Sequence, residues 1–303
     1  MSVAGRLVVV TGATGFLGTH ISRALLDAGA RVRGAVRSPE KGARLRELGA
    51  EMVYADLTKP ETLADAFAGA DAVISNAALA TRRSSPWSEF IEANAHGAEN
   101  VVHATAKAGV KRLVHVSTVA VYKPRIRHRN REIDTPSILS GARLSWSHLV
   151  TDWRYSVSKA MGENRVWELS REYGIDTTAL RPGPIYGSGD TKLTATYARA
   201  MAQRLRIAPT VCLPHVHAGD VASAVLGALA NDASIGRGYN VTGTPVSPYE
   251  VLRTWSAITG TGPTLIPVPL PLWIDYADDT AERDLGFSCR GIEAGLREVL
   301  TSV

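Results

Sequence analysis

Leu7-Val8-Val9-Val10-Thr11-Gly12-Ala13-Thr14-Gly15-Phe16-Leu17-Gly18 is the stretch from which the fold is read. Apolar β-formers run into a glycine turn, and an amphipathic segment follows from Phe16 to about Ala28. The pattern is strand, tight loop, helix. Gly12, Gly15 and Gly18 let the backbone turn sharply and approach a ligand without Cβ interference. The N–H groups at the start of the new helix then face an anion, whose charge the helix dipole favours. This is how a βα turn holds the diphosphate of a dinucleotide, with Thr14, Phe16 and Leu17 completing the contact surface.

Length and composition set the frame. A chain of 303 residues suffices for one large α/β domain with a smaller appended region. Hydrophobic content of 45% and charged content of 21% are those of an ordinary globular enzyme. No apolar run approaches the ~20 residues of a membrane helix. Met1 to Arg6 carries no signal-peptide core, so a cytoplasmic protein with no membrane partner is expected. Cys212 and Cys289 provide neither a disulfide framework nor a metal cluster, and no metal is expected. The net charge of +5 leans toward anionic ligands, but no nucleic-acid motif accompanies it.

Arg31–Val36 reads as a second strand, at whose end a dinucleotide fold meets the adenosine ribose. An acid there suits the 2′-hydroxyl of NAD, and an arginine suits the extra phosphate of NADP. Arg37 holds that place, with Lys41 nearby and Glu40 as the rival for NAD, so NADP(H) is favoured over NAD(H). Met52–Leu57 reads as strand three. Its final Asp56-Leu57 places a carboxylate either against an adenine amino group or as a cap on the next helix. Asp71–Ser75 is strand four, and Asn76, Ala77 and Ala78 are small enough for a cofactor to lie against the strand end. Glu89–Gly109 is a long helix interrupted by Asn94 and Asn100, poor interior residues unless their side chains have partners. Arg112–Val116 is strand five and ends in Ser117-Thr118, hydroxyls placed where open α/β sheets bind ligands.

The stretch from Tyr122 to Asp152 is irregular and holds Arg125, Arg127, His128, Arg129 and Arg131. It reads as a solvated basic face or, more sharply, as an attractor for an anionic substrate. Asp152–Tyr173 is helical, and its Tyr155 and Lys159, four residues apart, share one face. Asp176–Leu180 is strand six, followed by the stiff loop Arg181-Pro182-Gly183-Pro184-Ile185-Tyr186-Gly187. Beyond it, helices alternate with short strands and proline-rich connectors. The expected fold is α/β: a doubly wound parallel Rossmann sheet over 1–187, with a substrate-side insertion at 123–150. A smaller C-terminal α/β substrate lobe over 188–303 returns strand and helix to it.

These residues resemble an extended short-chain dehydrogenase/reductase, of the NAD-dependent epimerase/dehydratase superfamily, from end to end. The matching pieces are Thr11–Gly18, Asp56-Leu57, Asn76–Ala78, Asn94, Ser117-Thr118, Tyr155–Lys159 and Arg181–Gly187, followed by His217–Val221 and Tyr239–Gly243. Gly34–Lys41 is similar to NADP-using reductases of the dihydroflavonol and cinnamoyl-CoA type, and Ser117–Tyr122 to 3β-hydroxysteroid dehydrogenase relatives. The nucleotide-sugar branch commonly has an Asn where Pro184 stands, an Arg at Leu213 and a Gly at Lys123.

The resemblance implies hydride transfer between a nicotinamide and a carbonyl or secondary alcohol of a small, possibly anionic, molecule. It implies Tyr155 as acid/base and Lys159 on the nicotinamide ribose. Thr118 would hold the substrate oxygen with Ser117 as backup, and Asn94 would order a water or backbone groups behind Lys159. Pro182 and Ile185 would touch the cofactor. The alternative is an epimerase or dehydratase with tightly bound NAD, and a non-catalytic dinucleotide-binding protein is the third reading. A homodimer is expected by the same resemblance.

Overall fold

In a computed structural model, which describes residues 2–80, 85–122, 129–130, 152–270, 275–276 and 279–301, the opening strand is buried along its whole length. Val8 and Val10 enter one hydrophobic cluster and Val9 the other, because alternate side chains of a strand leave opposite faces of the sheet.

The strands are β1 Leu7–Thr11, β2 Arg31–Val36, β3 Glu51–Tyr54, β4 Ala72–Ser75, β5 Arg112–Val116, β6 Arg129–Asn130 and β7 Asp176–Pro182, then β8 Ile185–Tyr186, β9 Leu205–Pro209, β10 Val216–His217, β11 Gly238–Val241, β12 Thr264–Val268 and β13 Asp275–Tyr276. The helices are α1 Phe16–Asp27, α2 Ala43–Glu47, α3 Leu63–Phe67, α4 Trp87–Phe90, α5 Gly97–Lys107, α6 Trp153–Tyr173, α7 Leu193–Met201, α8 Ala218–Ala230, α9 Pro248–Thr259, α10 Asp279–Leu285 and α11 Ile292–Thr301.

Seven strands form one parallel sheet in the order β11-β7-β5-β4-β1-β2-β3. Helices cover both faces, as a parallel sheet requires. Ile21 and Leu25 of α1 and Val221 and Val225 of α8 fill one side. Leu63 and Phe67 of α3, Val101 of α5 and Val166 of α6 fill the other. Each such fully buried side chain contributes roughly 1.5–3 kcal/mol. Strand order reverses between β1 and β4, which opens a crevice at their C-terminal ends. A separate cluster of Tyr197, Ala208, Val251, Trp255 and Leu296 lies under the paired strands β9 and β12. No helix among the described residues is long and apolar enough to cross a membrane.

Two readings change in detail. The third strand stops at Tyr54 rather than Leu57, because Asp56 closes a tight turn with Lys59. The helix expected over 89–109 starts at Trp87 and contains a π-helical turn, Ile91–His96, with Asn94 inside it. The basic run around Arg125, Arg127, His128 and Arg131, and Lys123 with it, lies outside the described residues.

Candidate active site

The glycine turn sits at the crevice where β1 and β4 part. Gly12 has φ +67°, a conformation that favours glycine. A Cβ on Gly12 would lie 3.0 Å from Ala77, and one on Gly18 would lie 2.1 Å from the Gly12 carbonyl oxygen. Gly15 differs: it is exposed, and a Cβ there would meet only the Gly12 oxygen at 3.2 Å. No side chain caps α1, and its first turn holds no acid. The leading N–H groups of a twelve-residue helix are therefore left for an external acceptor. Thr14, Phe16 and Leu17 are half-buried around them. The turn fits a dinucleotide diphosphate by its own geometry.

The loop after β4 is held against β1. The Thr11 hydroxyl donates to the Ile74 carbonyl at 3.2 Å and accepts from the N–H groups of Asn76 and Ala77 at 2.9 and 3.0 Å. Asn76 Nδ2 donates to the Thr11 carbonyl at 3.2 Å, so this side chain ties two strand ends together. Ala78 is exposed beyond it. One oxygen of Asp56 accepts from the N–H and the hydroxyl of Thr58, both at 3.0 Å, which closes the turn after β3 and caps neither of the helical turns that follow. The Leu57 carbonyl accepts from Asn100 Nδ2 at 2.8 Å. On the far side, Pro182 ends β7 and Ile185 pairs with Val216.

The second half of the site is where α6 meets the end of β5. Lys159 is buried, and its Nζ donates to the Val116 carbonyl at 2.8 Å. Burial pulls its pKa down to about 8, with the Glu163 carboxylate pulling the other way. Tyr155, one turn earlier, is raised by burial, and a hydrogen bond with Thr118 opposes that shift. Thr118 is 8% exposed and its hydroxyl accepts from the Ala120 N–H at 3.2 Å. Tyr155, Lys159 and Thr118 thus meet at one strand end.

One expected role is corrected. Ser117 is no backup for a substrate oxygen: its hydroxyl is buried and donates to Glu163 Oε2 at 2.5 Å. Asn94 orders backbone groups of the loop after β4. Its Oδ1 accepts from the Leu79 N–H at 2.7 Å, and its Nδ2 donates to the Leu79 carbonyl at 3.1 Å and to Ser158 Oγ at 3.0 Å. It pins the loop after β4 to α6. The π turn carrying it packs so closely that a Cβ on Gly162 of α6 would lie 2.1 Å from the Asn94 carbonyl oxygen.

Glu163 and Arg181 were not singled out by the sequence reading. Glu163 is fully buried and its Oε1 accepts from Arg181 Nη2 at 2.5 Å, Arg181 Nε at 3.0 Å and Trp167 Nε1 at 3.2 Å. Arg181 Nη1 donates to the Tyr122 hydroxyl at 2.7 Å, and that hydroxyl donates to Asn240 Oδ1 at 2.8 Å. Burial alone would raise the Glu163 carboxyl, but Arg181 and then Ser117 hold it low and ionised. The signal for Glu163 was present: it follows Lys159 at the same four-residue spacing that pairs Lys159 with Tyr155.

Residues 8–242 match the model of the NAD dependent epimerase/dehydratase family. Cinnamoyl-CoA reductase 1 of Petunia hybrida is 33% identical over 199 residues, covering 61% of this chain and 56% of that protein. The chain spans about half the length of the curated relatives it matches. Among solved structures, a short-chain dehydrogenase/reductase superfamily protein from Agrobacterium tumefaciens with bound NAD is 21% identical. Its TM-score is 0.79 over 98% of this chain and 96% of that one. MoeE5 in complex with UDP-glucose and NAD is 24% identical, with a TM-score of 0.79 over 97% of each chain.

These structures correct the expectation of NADP(H) over NAD(H), since both hold NAD. The physical reason lies at the end of β2. Arg37 and Lys41 are exposed side chains on a turn. An exposed cation there can donate to ribose hydroxyls as well as to a phosphate, so its charge alone does not select NADP.

Proposed function

The chain belongs to the NAD dependent epimerase/dehydratase family, and from that premise we propose that it carries out NAD-linked hydride exchange at a carbinol or carbonyl carbon of a small molecule. The observation that carries the proposal is the meeting of Thr118, Tyr155 and Lys159 at the end of β5, beside the crevice that the glycine turn lines. NAD, when bound, supplies the hydride exchange. Tyr155 moves the proton: its phenol gives one to a carbonyl oxygen, or its phenolate takes one from an alcohol. An ordinary phenol titrates near about 10 and burial raises Tyr155 further, so a neighbouring cation is required to favour phenolate. Lys159, held on the Val116 carbonyl, supplies that charge and would hold the ribose hydroxyls of the bound cofactor. The Thr118 hydroxyl holds the substrate oxygen against Tyr155.

An internal redox cycle, in which the hydride returns to the same substrate, is supported by the family model and by the NAD in the similar structures. The substrate is then an epimerisable or dehydratable alcohol. Net reduction of a carbonyl is the second reading. It draws on the likeness to cinnamoyl-CoA reductase 1 and on Pro184 and Leu213 at positions where the nucleotide-sugar branch has Asn and Arg.

One experiment separates them: denature the purified protein and identify the released dinucleotide by mass. Stoichiometric NAD supports the internal cycle. Protein that comes off empty but binds NADH supports net reduction. Protein that binds neither form defeats both.

A further inference from the structure

Tyr155, Lys159 and Glu163 stand at successive turns of α6 and grip three consecutive residues at the end of β5. Tyr155 faces the Thr118 hydroxyl, Lys159 donates to the Val116 carbonyl, and Glu163 accepts from the Ser117 hydroxyl between them. The carboxylate is 0% exposed, and its oxygens are occupied by Arg181, Trp167 and Ser117. A buried charge so completely bonded cannot turn toward a ligand, and it fixes whatever it holds. Arg181 is locked in turn by Tyr122, over whose ring its guanidinium carbon lies 5.1 Å from the centroid.

We propose that Glu163 is a positioning residue of the hydride-transfer site, which fixes Thr118 through Ser117 and supports the cationic Lys159, with Arg181 as its permanent counter-ion. The inference rests on the proposed function for its catalytic meaning, while the placement stands on the contacts themselves. Among the described residues, the charged and titratable groups around Lys159 are Tyr155 and Glu163 from α6, His115 from β5 and, across the carboxylate, Arg181 from β7. His115 is fully buried and neutral, its pKa pushed down to about 3 by burial and then by Lys159. Glu163 is therefore the one anion in this group that favours the ammonium form of Lys159.

The test is a pH titration of Lys159 by NMR on the full chain carrying labelled lysine. Its resonance is identified by its loss in Lys159→Met. In folded Glu163→Gln the midpoint should fall by about one pH unit or more, since the anion that stabilises the cation is gone. An unchanged midpoint in folded Glu163→Gln overturns the inference. If that variant does not fold, because it strands Arg181 as a buried unpaired charge, Glu163→Gln/Arg181→Met removes both charges. A smaller fall is expected there, because loss of the Arg181 cation across the carboxylate offsets part of it, and there too a midpoint that does not fall overturns the inference.

Once a substrate is in hand, Glu163→Gln should lower kcat about tenfold or more with KM within about twofold, the pattern of a lost transition-state interaction. The reverse split, in KM alone, would sink the positioning role. The titration needs no substrate. An inactive wild-type chain would defeat the proposed function without touching the placement of Glu163.

Discussion

The glycine turn after β1 and the strand end after β5 face the same edge of one sheet, yet they are built by opposite means. The turn is made of backbone: a positive φ at Gly12, two approaches that leave no space for a Cβ, and uncapped N–H groups at the start of α1. The strand end is made of side chains, with Lys159, Glu163, Arg181 and Ser117 buried together. A backbone site tolerates little change in shape, and its preference for an anion comes from N–H groups and the helix dipole rather than from charged side chains. A side-chain site depends on charge and on every partner being present.

The largest effect should come at the strand end. Tyr155→Phe should lower turnover by about 10²–10⁴-fold, with NADH affinity in a fluorescence titration changed by less than about threefold. Equal turnover in wild type and variant would remove Tyr155 from the chemistry.

The turn offers a sharper contrast within itself. Gly18→Ala puts a Cβ 2.1 Å from the Gly12 oxygen, so overpacking should cost about 1–3 kcal/mol in denaturant unfolding. Gly15→Ala meets only the Gly12 oxygen, at 3.2 Å, and sits at φ −75°. Its stability should stay within about 0.5 kcal/mol. Its dinucleotide affinity should nevertheless fall about tenfold, because the methyl group occupies the face offered to the diphosphate. If Gly15→Ala binds like wild type, that face is not the contact.

Asn94→Ala tests whether the two regions are joined. It leaves the Leu79 N–H and carbonyl without their shared partner. A loss of about 1–3 kcal/mol in unfolding stability is expected.

A pH series probes the buried histidines. Burial pushes His115 down to about 3, and His215 and His217 to about 4. Their unfolded pKa is about 6.5, so the unfolded chain binds more protons below it. Stability should be fully present above about pH 6.5 and fall as pH drops toward these folded values. His217→Asn, which retains a side-chain acceptor for the Gly219 N–H, should flatten the dependence of Tm on pH. An unflattened profile would show that His217 takes no part in it.

The smallest effect should come from Arg37→Ala. Its side chain is exposed, and NAD affinity should change by less than about threefold. A tenfold loss would make Arg37 a true ribose contact.

What could be read from the residues was whatever repeats with a period or is dictated by sterics. Strand, glycine turn and helix over 7–28, the Ser117-Thr118 strand end, and the shared face of Tyr155 and Lys159 all follow from local spacing. Three-dimensional packing decided the partners. Ser117 looked available until Glu163 took its hydroxyl. Asn94 looked like a helix breaker until its π turn joined it to Leu79 and Ser158. Gly238–Val241, deep in the last third, joins the main sheet beside β7 and places Asn240 at the end of the Arg181–Tyr122 chain. A hydrogen bond between residues more than a hundred positions apart, such as Tyr122 to Asn240, has no local period to reveal it; only the folded sheet brings its two atoms within 2.8 Å.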